Sequence, residues 1–329
     1  MLSRSFVFLC RSSNNKYNMT SVKNYLSLVK FSHTIFAMPF ALIGFFLGIR
    51  AFKQITGFLS SNSQDFVPTN ALSGLPTTFS EVAARFLLVI LCMITARSAA
   101  MAFNRYLDKN FDAKNPRTAI REIPAGIISA NSALVFVIIN CVAFIVCTCF
   151  INKICFFLSP VALFVILFYS YTKRFTALCH LVLGLGLSLA PIGAYLAVTG
   201  RFDILPVLFS FAVLFWVSGF DIIYALQDVD FDISQNLFSI PAMLGKKKAL
   251  HVSELLHFLS AGLVITAGFL APFGLLYWAG VVVFAGMLIY QHSIVKPDDL
   301  RKVNLAFMTA NGVASVVFAC FVLADIFLK

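Results

Sequence analysis

Nine stretches of about 20 apolar residues, over 33–52, 82–103, 128–150, 153–172, 178–199, 205–223, 250–271, 273–291 and 304–327, divide this chain. At 1.5 Å of rise per residue, that length spans the roughly 30 Å of hydrocarbon in a bilayer. Backbone polar groups in lipid must be satisfied within the segment, and the Leu, Ile, Val, Phe and Ala here run without the alternation of a barrel strand. The stretches are therefore read as helices. Hydrophobic residues make up 60% of the chain against 12% charged, with mean hydropathy +0.90, too little polarity to cover a soluble globule. The expected fold is all-α: a polytopic membrane protein with nine transmembrane helices around a central cavity.

Charge placement orients these spans. The segment before the first span and the loops after spans 2, 4, 6 and 8 share one side and carry 18 of the 25 Lys and Arg residues. Arg50, Lys53, Arg85, Lys153 and Arg201 fall on the other side, Arg97 lies inside span 2, and Lys329 is terminal. The rich side is cytoplasmic or matrix-like by the positive-inside tendency.

Carboxylates are scarce, and they cluster. Of 14 Asp and Glu residues, six fall in two short windows on the basic face, Asn104 to Asp112 and Asp221 to Asp232. Steps of three and four residues return to one helical face, so Arg97, Met101, Asn104, Asp108 and Asp112 form one stripe, and Asp221, Tyr224, Asp228 and Asp232 a second. Mutual repulsion in each stripe calls for a multivalent cation, and oxygen ligands suit a hard one. Mg²⁺ takes one or two carboxylates and leaves other positions to water and phosphate oxygens, so a diphosphate bridging two ions is expected. Superposing Asp108 on Asp228 also superposes Asp112 on Asp232 and Asn104 on Tyr224, a weak internal repeat.

Cations flank the stripes: Lys114, Arg117 and Arg121 after the first, and Tyr169-x-x-x-Lys173 followed by Arg174 at the end of span 4. They are suited to phosphate oxygens. For Arg174 and the run Lys246 to Lys248, a positive-inside anchor is as good a reading. A solvated loop pair also explains an isolated D-x-x-x-D, since surface pairs contribute little. Two stripes with Arg97 and Asp221 at intramembrane positions favour a functional cavity instead, because buried ionisable groups in lipid are expensive.

Asn104-x-x-x-Asp108-x-x-x-Asp112, Asn115-Pro116-Arg117-Thr118 with Arg121, Tyr169-x-x-x-Lys173 and Asp221-x-x-Tyr224-x-x-Gln227-Asp228-x-x-x-Asp232 together resemble the UbiA superfamily of intramembrane prenyltransferases. His180 to Gly184, Leu189 to Ala194 and Ser239 to Ala242 look most like its 4-hydroxybenzoate polyprenyltransferase-like branch, which includes menaquinone-pathway members. The resemblance covers residues 23–329 and leaves 1–22 as an N-terminal extension, either a transit-like leader or an upstream start ahead of Met19. It implies a Mg²⁺-dependent transfer from a polyprenyl diphosphate to an aromatic acceptor in the membrane lipid, with no nucleic acid as partner. Asn104, Asp108 and Asp112 would serve one ion and Asp228 and Asp232 the other. Lys173, Arg117 and Arg121 would hold the diphosphate, with Tyr169 and Tyr224 beside it.

Asp221 is carried over as a further candidate, as ligand or as the base that takes the ring proton. The acceptor's carboxylate would meet Lys30, where the family has Arg, or Arg97. His33 reads as an interfacial histidine, and the other histidines have no ligand-like spacing. The eight Cys residues are expected to be reduced, buried thiols. Residues 53–80, rich in Ser and Thr, are expected to form a long first loop. The expected location is a bacterial inner membrane with the site on the cytoplasmic side, ahead of a mitochondrial inner membrane. A transporter of an anionic lipid or quinone precursor is the alternative, using the same intramembrane charges as a pathway.

Overall fold

The computed structural model describes residues 23–29, 36–62 and 78–329, with side chains given throughout except over 53–62. Nine long helices order the described residues: α1 (Met38–Asn62), α2 (Phe79–Lys114), α3 (Ala130–Ile151), α4 (Lys153–Thr172), α5 (Cys179–Thr199), α6 (Ile204–Ala225), α7 (Lys246–Leu270), α8 (Leu275–Ile294) and α9 (Asn311–Leu328). Eight are long and apolar enough to cross a membrane, α9 counted with the π-helical turn Leu305–Ala310 before it. The described apolar part of α1, Met38–Phe52, is shorter than a full span, so the described residues support eight of the nine expected crossings. The expected loop over 53–80 is also revised, because α1 continues to Asn62 and α2 starts at Phe79.

α2 carries the first acidic stripe, and its sequence explains its length. Thr78 and Glu81 form a reciprocal capping box at its start. No Gly or Pro interrupts the next 36 residues, and Pro116 ends the helix by forcing Asn115 into extended backbone (φ −88°, ψ 117°). A helix of that length runs about 54 Å, well beyond the hydrocarbon, so its last turns, with Asp108 and Asp112, stand at the aqueous end.

The second stripe behaves differently. α6 stops at Ala225, a 3₁₀ turn covers Leu226–Asp228, and a short helix Val229–Ser234 follows. Asp221 to Asp232 is therefore not one continuous α-helical face, and the weak repeat has no counterpart in the geometry at this point. The 3₁₀ turn tightens the backbone from about 3.6 to about 3.0 residues per turn, which re-aims Asp228.

The core centres on α6. Phe209, Val213, Trp216 and Val217 are fully buried against Phe40, Tyr277, Phe284 and Phe318. By contrast α3, α4 and α7 turn Phe150, Phe157, Phe164, Phe258 and Phe269 outward, as lipid-facing helices do. Two close helix contacts need glycine. A Cβ on Gly44 would lie 2.0 Å from the Pro191 carbonyl oxygen, and one on Gly184 would lie 2.4 Å from both the Leu214 carbonyl oxygen and Ser218 Oγ. These contacts draw α1 onto α5 and α5 onto α6. The helical stretch 23–28 closes the basic end, where Leu28 is buried, Tyr25 stacks on Phe136 at 4.9 Å, and Ser27 donates to Glu122.

Candidate active site

The first stripe projects two buried carboxylates from the last turns of α2. Asp108, only 2% exposed, accepts Lys173 Nζ at 2.6 Å, Arg174 Nη2 at 3.0 Å and Asn104 Nδ2 at 3.2 Å. Asp112 accepts Arg121 Nη1 at 2.7 Å, while its Oδ2 is buried with no partner among the described residues. Both cations that reach Asp108 follow directly on the C-terminus of α4, Lys173 as its cap and Arg174 next. Arg174 is further fixed by the Ser170 and Leu107 carbonyls, which makes it part of the site rather than a membrane anchor.

The segment after α2 folds back to join the second stripe. Arg117 donates Nε to Asp228 Oδ1 at 3.0 Å, pairs Nη2 with Oδ2, and donates Nη1 to the Tyr224 hydroxyl at 2.9 Å, its guanidinium 5.2 Å over the Tyr224 ring. Burial favours a neutral guanidine, but Asp228 and Tyr224 outweigh it and hold Arg117 above its ordinary value. Asn115 adds Nδ2 to Asp228 Oδ1 at 3.3 Å and accepts the Arg117 backbone N–H at 2.9 Å. Lys114 reaches Gln235, and the Phe238 N–H donates to the Lys173 carbonyl at 2.7 Å. Asp232 accepts Ser239 Oγ at 2.9 Å. The two stripes are thus two walls of one ionic cluster.

Beneath the cluster lies an apolar cavity of about 380 Å³ between α2, α3, α4 and α5. Val89, Cys92, Phe144, Leu158 and Leu187 line it, with Arg97 and Tyr169 as polar members. Arg97 Nε is buried without a partner among the described residues. An open recess of about 580 Å³, lined by Arg117, Gln227 and Asp298 to Arg301, lies on the other side of Arg117. A greasy chamber with a single guanidinium, whose lining residues Met101 and Tyr169 stand one helical turn from Asn104 and Lys173 of the ionic cluster, matches an amphiphile with an apolar tail and an anionic head.

The donor set also suits Mg²⁺. The carboxylates and Asn104 are hard oxygen donors, and Asp112 Oδ2 is an orphaned buried acceptor. Among the described residues no three carboxylate, His or Cys side chains converge as a ready-made metal cage. Ammonium and guanidinium groups instead supply positive charge at Asp108, Asp112 and Asp228. That suits a metal sharing its coordination with phosphate and water.

Most sequence candidates are therefore brought together: Asn104, Asp108, Asp112, Arg117, Arg121, Tyr169, Lys173, Tyr224, Asp228 and Asp232. Arg97 sits apart in the apolar cavity. Asp221 is engaged elsewhere, by His180 Nδ1 at 2.7 Å. Lys30 and His33 lie outside the described residues, as does the extension 1–22. Sequence reasoning passed over His180 and Arg105, the latter 3% exposed with Nε unpartnered. Arg105 follows Asn104 inside the motif, where nothing in the sequence sets it apart from the other basic residues of that face; His180 had no spacing to betray its partner 41 residues away. The seven described cysteines are free, as expected, but none is buried: Cys149 and Cys320 are exposed and the other five half-buried, because they lie on outward faces of the helices or, like Cys92, against the apolar cavity.

The fold and site define a polytopic membrane protein with an interfacial ionic cluster over an apolar chamber. The sequence profile of the UbiA prenyltransferase family matches residues 71–313, and the chain belongs to that family. Membership of a prenyltransferase family weighs against the transporter alternative. It is 31% identical over 228 residues to a 4-hydroxybenzoate octaprenyltransferase of Tolumonas auensis, covering 69% of this chain and 79% of that one. To the 4-hydroxybenzoate octaprenyltransferase of Francisella tularensis subsp. novicida it is 32% identical over 53% of this chain, and the match spans 61% of that relative's own length. Among solved structures, the apo UbiA homolog of Aeropyrum pernix K1 superposes with TM-score 0.70 at 27% identity, over 90% of this chain and 97% of that one. A UbiA homolog of Archaeoglobus fulgidus bound to DMAPP and Mg²⁺ shares the fold at TM-score 0.68 and 18% identity, over 93% of this chain and 100% of that one.

Proposed function

We propose that this protein transfers a polyprenyl group from polyprenyl diphosphate to a carboxylated aromatic ring, 4-hydroxybenzoate or a related acid, in ubiquinone or menaquinone synthesis. The observation that carries it is the junction of the two acidic stripes through Arg117 and Asn115, with an apolar cavity reaching to Met101 and Tyr169, one turn from Asn104 and Lys173. The curated relatives are named for 4-hydroxybenzoate, which supports that acceptor. The excess of basic residues on the site's side supports a cytoplasmic orientation in a bacterial inner membrane.

The residues divide the work by depth. Lys173, Arg174, Arg117 and Arg121 hold the diphosphate oxygens by charge-assisted bonds. Asn104, Asp108 and Asp112 on one wall, and Asp228 and Asp232 on the other, hold Mg²⁺, which when bound neutralises the diphosphate and so eases departure of the allylic C–O bond's electron pair. Tyr169 and Tyr224 close the pocket around that bond. The isoprenoid tail lies in the apolar cavity, and Arg97, two turns deeper on α2 than Asn104, meets the acceptor's carboxylate. Asp221 takes the proton that the ring must lose.

The test is transfer of a radiolabelled polyprenyl group by purified protein in lipid nanodiscs with Mg²⁺, across 4-hydroxybenzoate and naphthoate acceptors. Product is expected with at least one carboxylated acceptor, and Asp108→Ala and Asp228→Ala should each lower turnover by about 100-fold or more. No product with any aromatic acid sinks the proposal.

A further inference from the structure

Outside the ionic cluster, a buried polar contact between His180 and Asp221 joins α5 to α6. His180 is 3% exposed, and its Nδ1 lies 2.7 Å from Asp221 Oδ2. Its other ring nitrogen, Nε2, accepts the Ile240 backbone N–H at 3.3 Å. A nitrogen that accepts carries no proton, so the ring is the neutral Nδ1–H tautomer and donates to Asp221. The Ile240 N–H is an end group of the short helix Ile240–Leu244, with no partner inside that helix. Its capping residue, Ser239, donates to Asp232. One imidazole therefore ties the deep carboxylate to the element that also steadies Asp232.

The backbone around the pair is fixed. Ser218 Oγ donates to the His180 carbonyl at 3.1 Å and to the Leu214 carbonyl at 2.7 Å. Gly184, one turn beyond His180, has no room for a Cβ against the same Leu214 and Ser218. Neither helix can slide without breaking these contacts. Asp221 Oδ1, in contrast, has no protein partner among the described residues, and the side chain is 23% exposed. Asp221 stands one turn before Tyr224 on α6, and Tyr224 accepts Arg117 within the cluster. The free oxygen thus lies one helical turn from the ionic cluster.

We propose that His180 is a positioning residue for ring deprotonation: it holds the Asp221 carboxylate by one oxygen so that the other receives the proton from the prenylated ring. The balance is complete without another reactant. The ring's π pair forms the new C–C bond as the C–O bond breaks and its pair leaves with diphosphate. The ring C–H bond then breaks, its pair restores aromaticity, and the proton passes to Asp221 Oδ1. The inference rests on the prenyl-transfer reading.

Two amide substitutions test it, because they place an N–H at different points. In His180→Asn the amide nitrogen occupies the place of Nδ1 and can still donate to Asp221; in His180→Gln it occupies the place of Nε2 and cannot. His180→Gln and His180→Ala should lower kcat roughly 10- to 100-fold with donor and acceptor KM within threefold, whereas His180→Asn should stay within about fivefold of wild type. Equal rates for the Asn and Gln variants overturn the inference, as does loss that appears only in KM. A readout independent of turnover is the ¹⁵N spectrum of histidine-labelled protein, assigned by comparison with His180→Asn. It should show a protonated Nδ1 and a pyridine-like Nε2; an Nε2–H or doubly protonated ring overturns the inference whatever the activity. Wild type that yields no product despite the expected tautomer removes the prenyl-transfer reading and the positioning role with it, a pattern separate from the others.

Discussion

Replacing Arg117 by lysine keeps the charge and removes the geometry, and so separates two accounts of the cluster. Arg117 holds Asp228 with two donors, bonds the Tyr224 hydroxyl with a third at 2.9 Å, and covers its ring. Lysine can keep one of these contacts, since its ammonium is a point charge without a fork. A charge-assisted bond contributes about 1.5–3 kcal/mol when well buried, but Arg117 and Asp228 side chains are 32% and 20% exposed, so solvent screening lowers each lost contact to about 1 kcal/mol. Two lost contacts then amount to about 2 kcal/mol, or roughly 30-fold. Because the fork also pins the turn at Asn115 against the second stripe, the loss should fall on the donor, whose site needs both walls together. Titration of an unreactive polyprenyl thiodiphosphate with Mg²⁺ should therefore show Kd raised about 30-fold in Arg117→Lys. Asn115→Ala, which removes one 3.3 Å bond and the turn's acceptor, should raise it about fivefold. A donor Kd for Arg117→Lys within twofold of wild type refutes the fork's role and leaves only net charge.

Other expectations follow from single contacts. Arg97→Met should raise acceptor KM about tenfold or more while donor Kd stays within twofold, measured with 4-hydroxybenzoate and the same thiodiphosphate; an unchanged acceptor KM removes Arg97 from that role. Gly44→Ala forces a Cβ onto the Pro191 carbonyl and should destabilise the bundle by about 1–3 kcal/mol, seen as a lower thermal midpoint in detergent. Chelation of divalent cations should abolish turnover, and Mg²⁺ should restore it in wild type but not in Asp112→Ala. Arg301→Ala, which breaks an exposed pair with Asp299, should leave turnover within twofold; a larger loss would give the adjoining recess a direct part in catalysis.

The membrane spans were legible because a bilayer imposes one length and one composition on every crossing. The acidic stripes were legible for a related reason: carboxylates at helical spacing stand out where almost nothing else is charged. What the sequence concealed was partnership. Lys173 meets Asp108 and Arg117 meets Asp228 only because α4 and the turn at Pro116 converge on the same end of the bundle, and no local pattern encodes a contact between residues 65 or 111 apart. Leu226–Asp228 looked like one more turn of α6, since the apolar and acidic steps of a 3₁₀ turn and an α-turn differ by a single residue. Residues 53–62 read as loop from their polarity, yet the helix begun at Met38 carries on through them. His180 sat in an apolar run, where a lone histidine more often fills a core position.

Under the proposed prenyl transfer, the apolar cavity below and the ionic cluster above also send the products to different places. An amphiphile arrives with head and tail joined and leaves as two fragments of opposite solubility. The tail, now carried by a ring, has its lower free energy in the lipid flanking α3 and α4, while the small anion has its own in the water beside Arg117 and Gln227. Two phases, rather than one solution, take up the products. Recombination then needs a meeting across the interface, so the partition itself gives the reaction its direction.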